Sequence, residues 1–177
     1  MARNQTRPNF PNTMQNDNTE KDVFPFPDQD TIWHDVACAP YRSKLDMLEV
    51  YEQICIRLEE VPKTAFSTIF GTFVSRVMQQ GDCNAPSTIQ QLMMAVFCDY
   101  IAQFIHVFLD DIFIYSSSVE EHEAHLAIVF NRLCKAQLYL SRDKVDLYST
   151  KMDCLGHLIT DAGIHAYADK MQKIQDW

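Results

Sequence analysis

What this 177-residue chain lacks narrows its class. No apolar run approaches the roughly 20 residues that cross a bilayer, so neither a spanning helix nor a membrane partner is expected. The opening stretch, MARNQTRPNFPNTMQNDNTEKD, has no apolar core, which argues against a secretory leader and for an intracellular protein of cytoplasm or nucleus. The six Cys, at 38, 55, 83, 98, 134 and 154, never form C-x-x-C, and that scatter predicts reduced thiols rather than a disulfide framework. Basic charge is short as well: 15 Lys and Arg stand against 24 Asp and Glu, a formal net charge of −9. Non-specific capture of nucleic acid needs Lys and Arg to displace counterions from phosphates, so the balance argues against it. No internal repeat is visible.

What is present fits one folded domain. Apolar residues make up 47 % and charged residues 22 %, the proportions of a globular protein with a sizeable core. Residues 1–22 are rich in Asn, Thr and Pro and are expected to be irregular or disordered, leaving 23–177 as the domain. VFPFPDQDTI should be extended, because each Pro biases its predecessor away from helix. A short helix is expected from Asp30 to Ala37, a strand over SKLDML, and one or two helical turns at EVYEQI. CIRLEE and KTAFSTIFGTFVSRVMQ read as strands, the second with a turn at Gly71.

Pro86 suits the first turn of a helix, and Ile89, Leu92, Met93, Val96, Phe97 and Ile101 follow at helical spacing. FIHVFLDDIFIYSS then predicts a strand near 104–109, a turn at Asp110 and Asp111, and a strand near 112–116. SVEE matches a capping box and opens a helix of about 17 residues with Leu126, Val129, Phe130 and Leu133 on one face. Short strands at LYLS, VDLYS and DCLGHLI, a turn at Asp161–Gly163 and a helix from Tyr167 complete the chain. The order predicts an α+β fold with an antiparallel sheet backed by helices.

The Asp pair allows two readings. A hairpin tip tolerates Asp. Equally, adjacent carboxylates between strongly apolar flanks repel unless a cation or proton intervenes, and hard divalent ions take such oxygens. Asp46, the one acid in the apolar KLDML, is either a strand-end residue or a third ligand of a two-metal site for phosphoryl transfer. HEAH is not H-E-x-x-H, and its His122 and His125 are expected on an exposed helix face with the EEHE charges. Cys154 and His157 form C-x-x-H without a second pair, so no zinc site is expected.

Five blocks in order turn these signals into a resemblance: YRSKLDMLEVYEQI, PKTAFSTIFGTFVSRVMQQGDCNAPSTIQQLM, HVFLDDIFIYS, EEHEAHLAIVFNRLCKAQLYLSRDKVDLY and DCLGHLITDAGIHAYADKMQKIQDW. Over roughly residues 20–177 the sequence resembles the reverse transcriptase domain of a gypsy-type LTR retrotransposon. The resemblance implies a palm with partial fingers and no thumb, and RNA-directed DNA polymerisation on a primed RNA or DNA template with dNTPs. It implies that Asp46, Asp110 and Asp111 are catalytic and, with the Met47 carbonyl, bind two Mg²⁺, for which Mn²⁺ can substitute. It places Tyr51 under the incoming sugar, where it excludes a 2′-hydroxyl; without the family, a core aromatic is as good a reading. Gln80 and Gly81 match the loop beside the nucleotide, and Leu155, Gly156 and His157 the primer grip. The oligomeric state is not implied.

The sequence also departs from the family. The basic fingers segment that holds the triphosphate is rewritten, the chain stops at Trp177 before a thumb, and Phe108 replaces the usual Tyr. Trp33, Cys38, Cys55, Gln91, Cys98, Gln103, Cys134 and Gln175 stand where the resemblance puts Arg. C-to-T change at CGN codons gives Cys or Trp, and the same change on the other strand gives Gln, so the pattern predicts a decaying copy. Two further readings follow: a non-catalytic domesticated relic, and a protein that holds a partner on its exposed surface.

Overall fold

The computed structural model describes residues 19–166. Most of the expected irregular segment, the helix expected from Tyr167, and Gln175 lie outside them. Residues 19–28 form neither helix nor strand. Then come α1 (Gln29–Cys38), β1 (Tyr41–Asp46), 3-10 turns at Val50–Gln53 and Val61–Thr64, β2 (Phe66–Thr68) and β3 (Gly71–Phe73). They are followed by α2 (Ala85–Phe97), β4 (Ile105–Phe108), β5 (Asp111–Ser116), α3 (Val119–Ala136), a 3-10 turn at Arg142–Lys144, β6 (Lys151–Cys154), β7 (His157–Thr160) and β8 (Gly163–Ala166).

The centre is an antiparallel sheet in the order β1-β5-β4. Strand side chains alternate between faces, and here the two faces differ in chemistry. Leu45, Ile105, Val107, Ile112 and Ile114 share one core with Ile89, Met93 and Phe97 of α2 and Leu126, Val129 and Leu133 of α3. Phe113, on the opposite face, joins Ile32 and Val36 of α1 and Met152, Cys154 and Ile159 of the β6-β7-β8 sheet. The register puts Arg42 opposite Tyr115, Lys44 opposite Phe113 and Asp46 opposite Asp111. The second face therefore carries nearly all the sheet's charge.

The helices obey local rules. Asp28 caps α1 by accepting from the Thr31 N–H at 3.1 Å. Ser118 Oγ caps α3 by accepting from the Glu121 N–H at 3.2 Å, while the Glu121 carboxylate accepts from Ser117 N–H rather than from the cap residue itself. Gln137 closes α3 in the left-handed conformation, at φ 57°.

Several expectations fail for identifiable reasons. CIRLEE makes only the bridge Cys55↔Val77; its acidic end turns into the Val61–Thr64 helical turn, which has Pro62 in its first turn. LYLS and VDLYS are not strands but run along the free edge of β1, touching it at Met47↔Leu140 and Lys44↔Asp146 with the Arg142–Lys144 turn between. Strand β8 was not anticipated. Phe130 is exposed, one position past the buried Val129. Of the eight positions assigned to lost Arg, Cys38, Cys55, Gln91, Cys98, Gln103 and Cys134 are exposed. Trp33 is half-buried and built in, its indole N–H donating to the Cys154 carbonyl at 3.0 Å. All six cysteines are free thiols. Among the described residues no helix is long and apolar enough to cross a membrane.

HEAH is also corrected: His122 is fully buried. Its Nε2 lies 2.7 Å from Ser43 Oγ and its Nδ1 2.8 Å from Ser116 Oγ, which reaches His125 Nδ1 at 2.7 Å. The Phe104 ring stacks on His125 at 3.8 Å. Burial, and for His122 the neighbouring imidazole, hold both pKa values below the ordinary His range. Both imidazoles are thus favoured neutral in the fold but bind protons near pH 6.5 when unfolded. The unfolded state then binds more protons, so stability falls as pH drops below about 6.5, by at most about 1.4 kcal/mol per pH unit for each ring. Urea midpoints between pH 7.5 and 5 should show this decline, and His122→Asn should flatten it.

Candidate active site

The chain brings the three acids together by register. Asp46 ends β1 directly across from Asp111, the first residue of β5, and Asp111 in turn faces Phe108 of β4. Leu109 and Asp110 form the two-residue connection. The turn thus lies at Leu109–Asp110 rather than at the Asp pair, and Asp111 belongs to the strand. Leu109 sits at φ 55°, a left-handed conformation that costs a non-glycine residue about 1–2 kcal/mol. Across the gap, the Met47 N–H donates to the Asp110 carbonyl at 3.0 Å. It is the Met47 amide, then, that ties the exit of β1 to the hairpin.

Two ammonium groups answer the crowded negative charge. Lys44 Nζ lies 3.0 Å from Asp111 Oδ1, both side chains largely buried. Lys144 Nζ lies 3.2 and 3.3 Å from the two Asp46 carboxylate oxygens. Lys44 is fixed over the Phe113 ring, 5.5 Å from its centre, whereas the Lys144 side chain is 65 % exposed and so is weakly held. Even with Lys44 alongside, the Asp111 pKa is raised: burial is the largest cause, and the charges of Asp110 and Asp46 add to it. Desolvation and like charge therefore outweigh one ion pair here.

Tyr51 lies on the Val50–Gln53 turn, packed against the main core and half-buried. Its phenol pKa is raised, first by burial and then by the charge of Asp110. Tyr51 is a core aromatic that also lies within electrostatic reach of the hairpin. Gln53 braces the same corner, its amide donating to the Tyr139 carbonyl at 3.0 Å and to the Leu48 carbonyl, and accepting from the Tyr139 N–H at 2.7 Å. Gln80 and Gly81 are exposed on the turn before α2, where Gly81 takes φ 100°.

Leu155 and Gly156 form the tight connection between β6 and β7, both with positive φ, at 47° and 78°. Two successive positive φ values are what a two-residue hairpin of type I′ demands, and Gly supplies the second without strain. His157 packs its ring on Trp33 at 4.1 Å. The hairpin abuts the charged face of the central sheet, since the fields of Lys44 and Asp111 reach Cys154, whose thiol is pushed up to about 12 mainly by burial.

Among the described residues no three His, Cys, Asp or Glu side chains converge as a ready-made metal cluster. The donor chemistry nevertheless suits a hard cation. The carboxylates are oxygen ligands in a like-charged, partly desolvated group, and ammonium ions already stand against two of them. Sequence reasoning found the acids and missed Lys44, Lys144, Gln53 and Gln90. Lys44 carried a local signal, two positions before Asp46 on the same strand face.

Comparison with known proteins identifies the family and the fold. Residues 2–159 match the sequence profile of the family described as reverse transcriptase (RNA-dependent DNA polymerase). The retrovirus-related Pol polyprotein from transposon opus of Drosophila melanogaster is 30 % identical over 158 residues, covering 89 % of this chain and 16 % of that protein. The corresponding polyprotein from transposon 297 of the same organism is 33 % identical over 159 residues, covering 90 % and 15 %. The chain thus spans about one sixth of the length of these two polyproteins. The foamy viral protease-reverse transcriptase in complex with RNA/DNA hybrid superposes with a TM-score of 0.80 at 24 % identity, covering 91 % of this chain and 22 % of that one. That likeness establishes the α+β palm fold.

Proposed function

The chain belongs to the reverse transcriptase (RNA-dependent DNA polymerase) family, and from that premise we propose that its β1-β5-β4 sheet is the nucleotidyl-transfer face of a retrotransposon RNA-directed DNA polymerase. The observation that carries the reading is the register: Asp46 and Asp111 directly opposed, with Asp110 in the connection beside them. Reverse transcriptases generally use divalent metal ions. Here the Asp46, Asp110 and Asp111 carboxylates and the Met47 carbonyl would hold two Mg²⁺, or Mn²⁺ in their place. Bound there, the ions supply charge neutralisation at the attacking and leaving oxygens of an in-line displacement.

The protein's own part is to position. Lys144, exposed and weakly held, releases Asp46 readily, while Lys44 stays on Phe113 and keeps the Asp111 carboxylate oriented. Tyr51 forms the floor under an incoming dNTP sugar and leaves no room for a 2′-hydroxyl. Gln80 and Gly81 lie beside the nucleotide, and Leu155, Gly156 and His157 support the primer end of a primed RNA or DNA template.

Primer extension on poly(rA)·oligo(dT) with Mg²⁺ tests the reading. Asp110→Asn should incorporate at least about 100-fold less nucleotide than the wild type. Equal signal from the two proteins would end the enzyme claim. One observation favours a second reading, a non-catalytic module that holds a partner. The β2–β3 ribbon carries Ile69, 93 % exposed, and Phe70, 85 % exposed, at its tip.

A further inference from the structure

We propose that Gln90, a residue of α2, is a positioning residue that sets the place of the Asp110–Asp111 hairpin. Gln90 is completely buried, on a helix face it shares with Ile89, Met93 and Phe97. A carboxamide in such apolar surroundings is unfavourable unless both its ends are satisfied. Here both are. Its Nε2 donates to the Val107 carbonyl at 3.1 Å, and its Oε1 accepts from the Leu109 N–H at 2.8 Å.

Those two groups are not an arbitrary pair. β4 is an outer strand: β5 is its one strand neighbour in the sheet, and on its other edge the backbone pairs only at Ile105, which bridges Ile101 and accepts from the Ala102 N–H at 3.0 Å, leaving the 107–109 stretch without a backbone partner there among the described residues. The carbonyl of residue 107 and the amide of residue 109 flank Phe108, and a strand added beside β4 would pair with such groups. The Gln90 side chain takes the place of one peptide unit of that missing strand. It therefore pins the chain at the residue where β4 ends and the left-handed turn begins, since Leu109 takes φ 55°.

On the far side, the Met47 N–H holds the Asp110 carbonyl at 3.0 Å. The hairpin is thus fastened from both flanks, by Gln90 before Asp110 and by Met47 after it. Gln90 makes no contact with either carboxylate among its hydrogen bonds, so its influence on them passes through the Leu109 backbone. Removing the clamp frees a turn that lies in an unfavourable conformation, and the acids lose their fixed distance from Asp46. The catalytic consequence rests on the polymerase reading; the clamp itself does not.

The experiment uses the full chain with Gln90→Met and Gln90→Glu. Met fills the volume and offers neither bond; Glu keeps an oxygen toward the Leu109 N–H. Amide hydrogen exchange followed by NMR should find Leu109 protected in the wild type and in Gln90→Glu, and at least about tenfold less protected in Gln90→Met. Single-nucleotide incorporation, normalised to folded protein, should show kcat lowered about 10–100-fold in Gln90→Met with KM for dNTP within about twofold. Gln90→Glu should retain more of kcat than Gln90→Met. Three results would overturn the proposal: a Leu109 amide that is unprotected in the wild type, a wild-type kcat in folded Gln90→Met, or equal losses in the two variants. If the wild type incorporates nothing, the polymerase reading fails, and the Leu109 exchange rates alone decide the clamp.

Discussion

Asp111→Asn is expected to lower primer extension about 10²–10³-fold and, in the same protein, to raise the thermal midpoint at neutral pH. On the proposed reading, the activity loss follows from removing one of the three carboxylates that would hold the metal ions. The stability gain follows from the Asp111 pKa, raised chiefly by burial and then by Asp110 and Asp46. A raised carboxyl pKa means that the folded state holds the proton more tightly than the unfolded state does. Stability therefore falls as pH climbs from the ordinary Asp value through the raised one, and the full penalty is in force at pH 7. Asparagine removes the penalty along with the Lys44 ion pair, and the direction of the pKa shift says that the penalty is the larger. The gain should vanish below about pH 4, where the wild-type carboxyl is itself neutral. Thermal scans of both proteins at pH 7 and pH 3.5 read this directly. A lower midpoint for the variant at pH 7 would show that the Lys44 pair dominates. Activity and stability thus oppose each other at this residue, as they commonly do where a site concentrates like charge.

Phe113→Ala should produce the largest loss of stability, about 3–5 kcal/mol. The ring is fully buried between α1 and the β6-β7-β8 sheet, among Ile32, Val36, Met152 and Ile159. Its loss leaves a cavity that three separate elements would have to close together. For a chain of this size the thermal midpoint should fall by about 6–20 °C. Urea unfolding beside Phe130→Ala gives the scale. Phe130 is 37 % exposed on α3, and its truncation should cost less than about 1 kcal/mol. Comparable losses for the two variants would contradict the two-cluster core. Phe113→Ala also removes the surface on which Lys44 rests, so even the folded fraction should bind divalent ions with altered affinity.

How much of this was legible beforehand depended on the range of the interaction. Helices α1 and α3 and the start of α2 were readable to within a residue or two because caps and apolar spacing are local, whereas the spacing carried α2 to Ile101, four residues past its end at Phe97. The hairpin was readable too, since apolar runs on either side of an acidic turn have few other solutions. Asp46 was readable as an anomaly, one acid in an apolar strand. Lys144 was not, because nothing near it marks a residue that folds back 98 positions to Asp46. CIRLEE and VDLYS alternate well enough to suggest strands, but a strand needs a partner edge. The first meets a proline-led turn, and the second makes a single bridge to β1, Lys44↔Asp146, with one further backbone bond from the Ser149 N–H to the Arg42 carbonyl.

His122 and Gln90 teach a different lesson. His122 was assigned to an exposed face and Gln90 drew no notice, because polar residues on a helix usually face water. Yet His122, Leu126, Val129 and Leu133 fall on one helical stripe, and Gln90 adjoins the Ile89–Met93–Phe97 stripe. A polar residue in phase with a buried stripe is a signal that something on the facing element must satisfy it. Here Ser43 and Ser116 meet the one, and the hairpin backbone meets the other.

The strand register has one more consequence, for the order in which the molecule is assembled. Asp46 and Asp111 are separated by about 65 positions, and the pairing of β1 with β5 encloses the ribbon and all of α2. Contacts that close so long a loop form slowly, because the entropy of closure must be met before any pairing energy is gained. The β4–β5 hairpin, by contrast, needs only neighbours. During synthesis the Leu109–Asp110 turn can therefore form as soon as it emerges, while β1 waits unpaired with Asp46 at its end. The cluster of negative charge comes into being only when β1 docks. Electrostatic repulsion among the acids then opposes the last closure of the sheet rather than its early steps, and divalent ions should accelerate that closure.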